Sequence, residues 1–137
     1  MLEKIRLICD SGLLVLIWIV QLIIYPSFSY YKHEDLYHWH ETYIKRIAII
    51  VIPLMFGQLI ATGLQVYYNQ DFYTLASALL VIGVWVITFT VFVPLHKNIS
   101  NKNSVQLSIE KLKLHNWLRT ILWSLIFLLT FYITLRF

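Results

Sequence analysis

Three side chains of this sequence have the chemistry of a catalytic site: His40, His96 and Arg119. Each lies at the edge of a long apolar segment, where ionisable groups are rare and usually functional. A neutral imidazole can accept a proton as a general base, and a guanidinium binds anions and polarised oxygens. The sequence therefore predicts that these three residues form one catalytic site.

Further polar residues adjoin the same apolar segments. Tyr25 follows Gln21 by four residues, so the two side chains share one face of a helix. Asn116 precedes Arg119 by one helical turn, which also places that pair on one face. The residues predicted to bind a ligand or cofactor are Tyr25, Tyr43, Asn116 and His115.

A metal or haem is one interpretation of the histidines, because neutral imidazole is the commonest metal ligand among side chains. His40, paired with His96 or His115, can ligate haem iron or a divalent metal across two helices. Against this, the sequence has no His-Glu-x-x-His motif, and carboxylates are scarce. The sequence leaves the cofactor open.

Two further interpretations use the same residues without a metal. In the first, Arg119, His40 and the neighbouring tyrosines form a cationic pocket under an aromatic rim. Such a pocket suits a small hydrophobic ligand with a phenolic or quinone-like head, and an oxidoreductase is one function that it would support. In the second, the protein is a non-catalytic small membrane subunit or accessory protein whose polar ring only locks the helices. These two interpretations leave open whether the protein is an enzyme.

The composition indicates which elements must position these residues. Of 137 residues, 59% are hydrophobic and only 13% are charged, whereas soluble domains carry about 25% charged residues. Such a chain cannot cover a soluble globule with polar groups. Its basic residues form no stripe that would bind nucleic acid. The expected partner is the lipid bilayer, and the oligomeric state stays open.

Charged residues divide the chain into four apolar segments, which predict membrane spans over residues 11–31, 47–68, 73–95 and 116–135. A helix needs about 20 apolar residues to cross the hydrocarbon core, and its backbone groups must be satisfied within the segment. We therefore expect an all-α fold: an integral membrane antiparallel four-helix bundle that forms a single domain over residues 1–137. The third helix is expected to end between Pro94 and His96.

Basic residues divide unequally between the two sides of such a bundle. The side with both termini holds Lys4, Arg6 and Arg136, and the other side holds Lys32, Lys45, Arg46, Lys97, Lys102, Lys111, Lys113 and Arg119. Lys and Arg accumulate on the cytoplasmic side. We therefore expect a multi-pass protein of the cell (inner) membrane with extracytoplasmic termini. All five histidines fall on the cytoplasmic side, so the site is expected there.

Four strings of the sequence carry a resemblance to known proteins. They are WIVQLIIYPSF (Trp18 to Phe28), WHETYIKRI (Trp39 to Ile47), FVPLHKNIS (Phe92 to Ser100) and NWLRTILW (Asn116 to Trp123). These strings resemble motifs of small bacterial four-helix membrane proteins that have no assigned activity. The resemblance implies the four-span layout.

Two shorter motifs distantly resemble the anthrone-oxygenase-like family. They are the Pro-x-x-x-Asn turn after the third helix (Pro94, Asn98) and the Trp-x-Arg-Thr start of the fourth (Trp117, Arg119, Thr120). That family shares the four-span layout and includes cofactor-independent oxygenases of aromatic polyketides. It has a histidine just before the Arg-Thr pair. This chain has Asn116 and Trp117 there, and His115 slightly earlier.

Overall fold

The computed structural model describes residues 1–136, which form four long helices joined by short turns. The helices are α1 (Leu2–Tyr30), α2 (His33–Tyr68), α3 (Phe72–Ser100) and α4 (Val105–Arg136). No strand occurs among these residues, so the all-α prediction is confirmed. By length and composition, each helix is long and apolar enough to cross a membrane.

Helix α1 packs against α2 and α4, and α3 also packs against α2 and α4. The core between them is built from aliphatic side chains that are almost fully buried, including Leu13, Ile17, Val81 and Ile126. The outer faces are also apolar. Large exposed hydrophobic residues occur on all four helices, among them Ile8, Ile49, Leu79 and Leu128. Apolar side chains therefore lie both inside the bundle and on its outer faces, whereas a soluble helical bundle carries polar residues on its outer faces.

All four helices begin before the spans expected from the charge pattern. Helix α1 starts at Leu2, so Arg6 and Asp10 lie inside the helix and not ahead of it. Both side chains are buried. Arg6 and Asp10, which precede the first apolar segment in the sequence, therefore lie in the interior of the helix bundle.

Two helices contain one wider π-helical turn, at Val20–Ile24 in α1 and at Thr88–Phe92 in α3. A proline follows each turn, Pro26 in α1 and Pro94 in α3. Proline lacks an N–H and its ring clashes with the carbonyl four residues earlier, which in both helices belongs to the π turn. The wider turn accommodates the proline, and the helix continues.

Helix α3 therefore does not end between Pro94 and His96, as the sequence suggests. It continues to Ser100, and His96 lies on the helix one turn beyond the wide segment. In α1 the π turn also ends two residues before a proline, Pro26, and Tyr25 follows the turn directly. Wide turns of this kind interrupt α-helices frequently at functional sites.

Helix α3 begins with a side-chain cap in the three-residue turn after α2. Asp71 accepts hydrogen bonds from the backbone N of Thr74 at 2.8 Å and from its Oγ1 at 2.6 Å. The hydrogen bond from the Thr74 hydroxyl is the main cause that holds the pKa of the Asp71 carboxyl below its usual range. The cap satisfies a backbone N–H in the first turn of α3 and fixes where the helix begins.

Gly57 marks a close approach of α1 and α2. A methyl group at this position would lie 2.8 Å from the Sγ atom of buried Cys9. We expect Gly57→Ala to lower the free energy of unfolding by about 1–3 kcal/mol, because overpacking a filled core forces side chains apart. Unfolding in mixed detergent micelles measures this. The double variant Cys9→Ala/Gly57→Ala should recover most of the loss, and equal losses in both backgrounds would contradict the contact.

Candidate functional site

A chain of hydrogen-bonding side chains joins α1, α2 and α3, on the C-terminal side of the π turns of α1 and α3. His40 Nε2 on α2 lies 2.9 Å from His96 Nδ1 on α3. The other ring nitrogen of His96, Nε2, lies 3.0 Å from the Tyr25 hydroxyl on α1. The two imidazole rings stack with an angle of 23° between their planes. His40 and Tyr25 are both almost completely buried, so the chain is part of the interior.

Arg119 on α4 completes this chain. Its Nη2 donates to the Tyr25 hydroxyl at 2.9 Å. Its Nε and Nη2 both donate to Oδ1 of Asn116, at 3.0 Å and 2.7 Å. The guanidinium carbon lies 3.4 Å from the centre of the Phe92 ring, a cation–π contact. Only 8% of Arg119 is exposed, and no carboxylate pairs with it among residues 1–136.

Gln21 fixes the position of Asn116. The Asn116 Nδ2 donates to Gln21 Oε1 at 3.0 Å, and Thr120 Oγ1 donates to the same oxygen at 3.2 Å. Gln21 Nε2 in turn donates to the backbone oxygen of Lys113 at 3.2 Å. Because Gln21 binds the Nδ2 atom of Asn116, the Oδ1 atom of Asn116 faces Arg119. These bonds therefore orient the guanidinium.

A cavity of about 490 Å³ lies beside the polar chain, a size in the usual range for small-molecule sites. Its body is apolar and is lined by Leu16, Ile17, Val20, Ile44, Ile47, Ala48, Val51, Phe92, Val93 and Trp123. Its polar groups are Tyr25, Tyr43, Thr88, His96, Lys97, Ser100 and Arg119. An apolar space with a few convergent polar groups is the usual form of a ligand site.

Six of the seven residues predicted from the sequence meet at this place. Five belong to one hydrogen-bonded network: His40, His96, Arg119, Tyr25 and Asn116. Tyr43 lines the cavity, with its ring 6.2 Å from that of His96 and 6.5 Å from that of His40. His115 is exposed on α4 and takes no part in the network.

His96 has no ring nitrogen free to bind a metal ion in this arrangement. Both nitrogens of His96 are engaged, one with His40 and the other with Tyr25. No group of three or more His, Cys, Asp or Glu side chains within residues 1–136 is arranged to hold a metal. Haem ligation by His96 would first break one of these two hydrogen bonds. The donor set instead suits hydrogen bonding and proton transfer.

A second polar network, which the sequence analysis missed, surrounds a buried ion pair on α1. Arg6 Nε lies 2.9 Å from Asp10 Oδ2, and both side chains are at most 1% exposed. The other two guanidinium nitrogens donate to Gln65 Oε1 at 2.8 Å and to Ser77 Oγ at 2.5 Å. Every nitrogen of the Arg6 fork therefore has a partner, and the partners come from three helices.

Asp10 is satisfied in the same way. Gln58 Nε2 donates to Oδ1 at 2.6 Å, and Thr130 Oγ1 donates to Oδ2 at 2.6 Å. The sequence signal was an arginine and an aspartate four residues apart, which lie on one face of a helix. A charge within an apolar segment is costly, so the sequence pattern begins the first span after Asp10 and leaves both charges outside it.

The two networks meet at Trp123. Its Nε1 donates to Gln58 Oε1 at 3.3 Å, and its ring lies 5.9 Å from the Arg119 guanidinium carbon. Trp123 also lines the 490 Å³ cavity. The Asp10 network therefore supports one wall of the cavity through Gln58 and Trp123.

The two buried arginines differ in what neutralises them. Arg6 has a carboxylate at hydrogen-bonding distance, whereas Arg119 has only neutral partners within residues 1–136 and borders a cavity. Comparisons of the chain with models of protein families, with curated proteins and with solved structures find no match. The function is therefore inferred from these side chains.

Proposed function

We propose that this chain is an integral membrane protein whose four helices cross the cell membrane as an antiparallel bundle. The lengths and apolar composition of the helices support this. The connections also support it, since Tyr31 and Lys32, residues 69–71 and residues 101–104 are too few to let one helix run parallel to the next.

The proposed orientation places the termini outside and the His96 end of the bundle in the cytoplasm. Arg6 and Arg119 are buried, so neither belongs to a loop, and the remaining basic residues divide seven against two. The seven are Lys32, Lys45, Arg46, Lys97, Lys102, Lys111 and Lys113, and the two are Lys4 and Arg136. Basic residues accumulate on the cytoplasmic side, which favours this orientation.

The function that we propose is binding of a small amphipathic ligand in the cavity, with an apolar body and a phenolic or quinone-like head at Arg119. The observation that carries this proposal is the buried guanidinium without a carboxylate partner. Buried charges are normally paired, as Arg6 is with Asp10. An electron-rich oxygen of the ligand would give this guanidinium a further hydrogen-bond acceptor at the cavity wall.

The same residues support acid–base chemistry on such a ligand. His96 contacts Tyr25 on one side and His40 on the other, so a proton can move along hydrogen-bonded groups to or from the cavity wall. The resemblance to the anthrone-oxygenase-like family points to the same ligand class, an aromatic phenol. An oxidoreductase that acts on phenols or quinones is therefore our preferred enzymatic form of the proposal.

A binding measurement on the protein in lipid nanodiscs tests the proposal. Menadione offers an aromatic body with carbonyl oxygens, and methylnaphthalene is a matched apolar compound without them. We expect saturable binding of menadione that exceeds that of methylnaphthalene, with empty nanodiscs as the control for partition into lipid. If protein-loaded nanodiscs took up no more of either compound than empty nanodiscs do, the ligand-binding proposal would be overturned.

That negative result would favour the second candidate, a non-catalytic membrane subunit whose polar groups lock the helices. The specific observation in its favour is the Gln21 amide, which links α1 to α4 through Asn116, Thr120 and the backbone of Lys113. Interhelical hydrogen bonds of this kind stabilise membrane bundles without any ligand.

A further inference from the structure

One ring nitrogen in the polar chain has no partner, and it determines where the hydrogens of the chain lie. The Nδ1 atom of His40 is buried and makes no hydrogen bond within residues 1–136. A neutral imidazole carries one N–H and one bare nitrogen. Orphaned buried N–H groups are rarer in proteins than orphaned acceptors. Nδ1 is therefore the bare nitrogen of His40, and Nε2 carries the hydrogen.

The direction of each following bond is then fixed. His40 Nε2 donates to His96 Nδ1 at 2.9 Å. His96 must then carry its own hydrogen on Nε2, which donates to the Tyr25 oxygen at 3.0 Å. The opposite direction, or a protonated His96, would leave His40 with a buried N–H on Nδ1 that has no acceptor.

The Tyr25 oxygen thus accepts two hydrogen bonds, from His96 and from Arg119 Nη2. Its own hydrogen is used in neither bond, and Tyr25 lines the cavity. Arg119 also lines the cavity, and its Nη1 has no protein acceptor within residues 1–136. The Arg119 Nη1 donor therefore stands free at the polar end of the cavity, and the Tyr25 hydrogen can point into the cavity or to the neighbouring Tyr43 hydroxyl.

We infer that the Tyr25–Arg119 corner selects a ligand oxygen that only accepts hydrogen bonds, so that the cavity prefers a quinone carbonyl to the corresponding quinol hydroxyl. This inference rests on the proposed function and names the ligand class more narrowly. A quinol oxygen can also accept from Tyr25 and Arg119, but its own hydrogen then needs an acceptor in an apolar space. Tyr43, Thr88 and Ser100 offer hydroxyl oxygens for that hydrogen at the cavity wall, and the Thr88 hydroxyl has no partner within residues 1–136, so these acceptors limit the preference for the quinone.

The test compares menadione with its hydroquinone, menadiol, on the protein in nanodiscs under anaerobic conditions. We expect menadione to bind about tenfold more tightly or better, since an unpaired buried donor weakens binding by roughly that factor. Equal or tighter binding of menadiol would overturn the inference while sustaining the proposed function. Failure of both compounds to bind would overturn the proposed function and the inference with it.

Tyr25→Phe removes the hydroxyl donor and keeps the ring. We expect this variant to lower menadione affinity about tenfold and menadiol affinity by a smaller factor, because a phenolic oxygen accepts from Tyr25 more weakly than a carbonyl does, so that the preference narrows. Tyr30→Phe is the matched control, because Tyr30 lies on the same helix but is 89% exposed, and its binding should equal that of the parent protein. An undiminished preference in Tyr25→Phe would contradict the role of its hydroxyl.

A measurement on the unaltered protein covers the case in which Tyr25→Phe does not fold. Nuclear magnetic resonance of isotope-labelled histidine distinguishes a protonated from a bare ring nitrogen. We expect His40 to carry its hydrogen on Nε2 and to be bare at Nδ1, with the signal assigned by its loss in His40→Gln. A hydrogen on Nδ1 of His40 would reverse the bond between His40 and His96, would let Tyr25 donate to His96, and would overturn the inference.

Discussion

Asp10→Asn is expected to lower the free energy of unfolding by about 3–5 kcal/mol, because removing one partner of a buried ion pair leaves the other charge uncompensated. Arg6 would keep its bonds to Gln65 and Ser77 but would lose its only carboxylate. Unfolding in mixed detergent micelles, followed by helical circular dichroism, measures the loss.

The double variant Arg6→Met/Asp10→Leu separates the ion pair from the packing of the site. We expect it to be less destabilised than the sum of its single variants, since neither charge then lacks a partner. A matched control is the Glu41–Lys45 pair, which has the same four-residue spacing and the same 2.9 Å distance but is exposed. Glu41→Gln should leave unfolding unchanged within error. An equal loss in Glu41→Gln and Asp10→Asn would contradict the role of burial.

Arg119→Met is expected to lower the affinity for menadione by about 10–100-fold, since hydrogen bonds to charged groups are among the strongest in binding sites. Titration calorimetry in nanodiscs measures the change. Its effect on unfolding should be smaller than that of Asp10→Asn, because Arg119 leaves no buried charge behind when it is removed.

Two further variants make this prediction specific. Arg119→Lys keeps the charge but loses the planar fork that reaches both Tyr25 and Asn116, so we expect an intermediate affinity. Arg46→Met removes an exposed basic residue of α2 and should leave the affinity unchanged. If Arg119→Met bound menadione as tightly as Arg46→Met, the cavity would not be the ligand site.

The sequence was sufficient to predict the meeting of His40, His96, Tyr25 and Arg119. Each lies near one end of an apolar run, and neighbouring helices with short connections bring those ends together. Their hydrogen-bond partners could not be predicted, because they depend on the rotation of each helix about its axis. That rotation also explains His115, which is only one residue from Asn116 but faces outward.

The Arg6–Asp10 network shows why hydropathy misses an interior polar group. A charge within an apolar segment is costly on its own, so a charged residue is read as a boundary. Two opposite charges four residues apart can satisfy each other inside the helix, and Gln58, Ser77 and Thr130 supply further partners from the other helices. Those partners are far away in the chain, so only the folded structure brings them together.

The two π turns have a consequence for how the chain tolerates insertions and deletions. Each turn holds one residue more than an α-helical turn, so it absorbs the rotation of about 100° that one added residue would give to the following part of an α-helix. Tyr25 and His96 both follow such turns. Deleting one residue from Val20–Ile24 or from Thr88–Phe92 would therefore convert the wide turn into an α-helical turn and leave Tyr25 or His96 facing the same side of the helix. A deletion in an α-helical part would instead rotate the residues that follow it by about 100°. Deletion of exposed Leu22 or Phe89 should therefore be less damaging than deletion of exposed Val15, which lies in the α-helical part of α1.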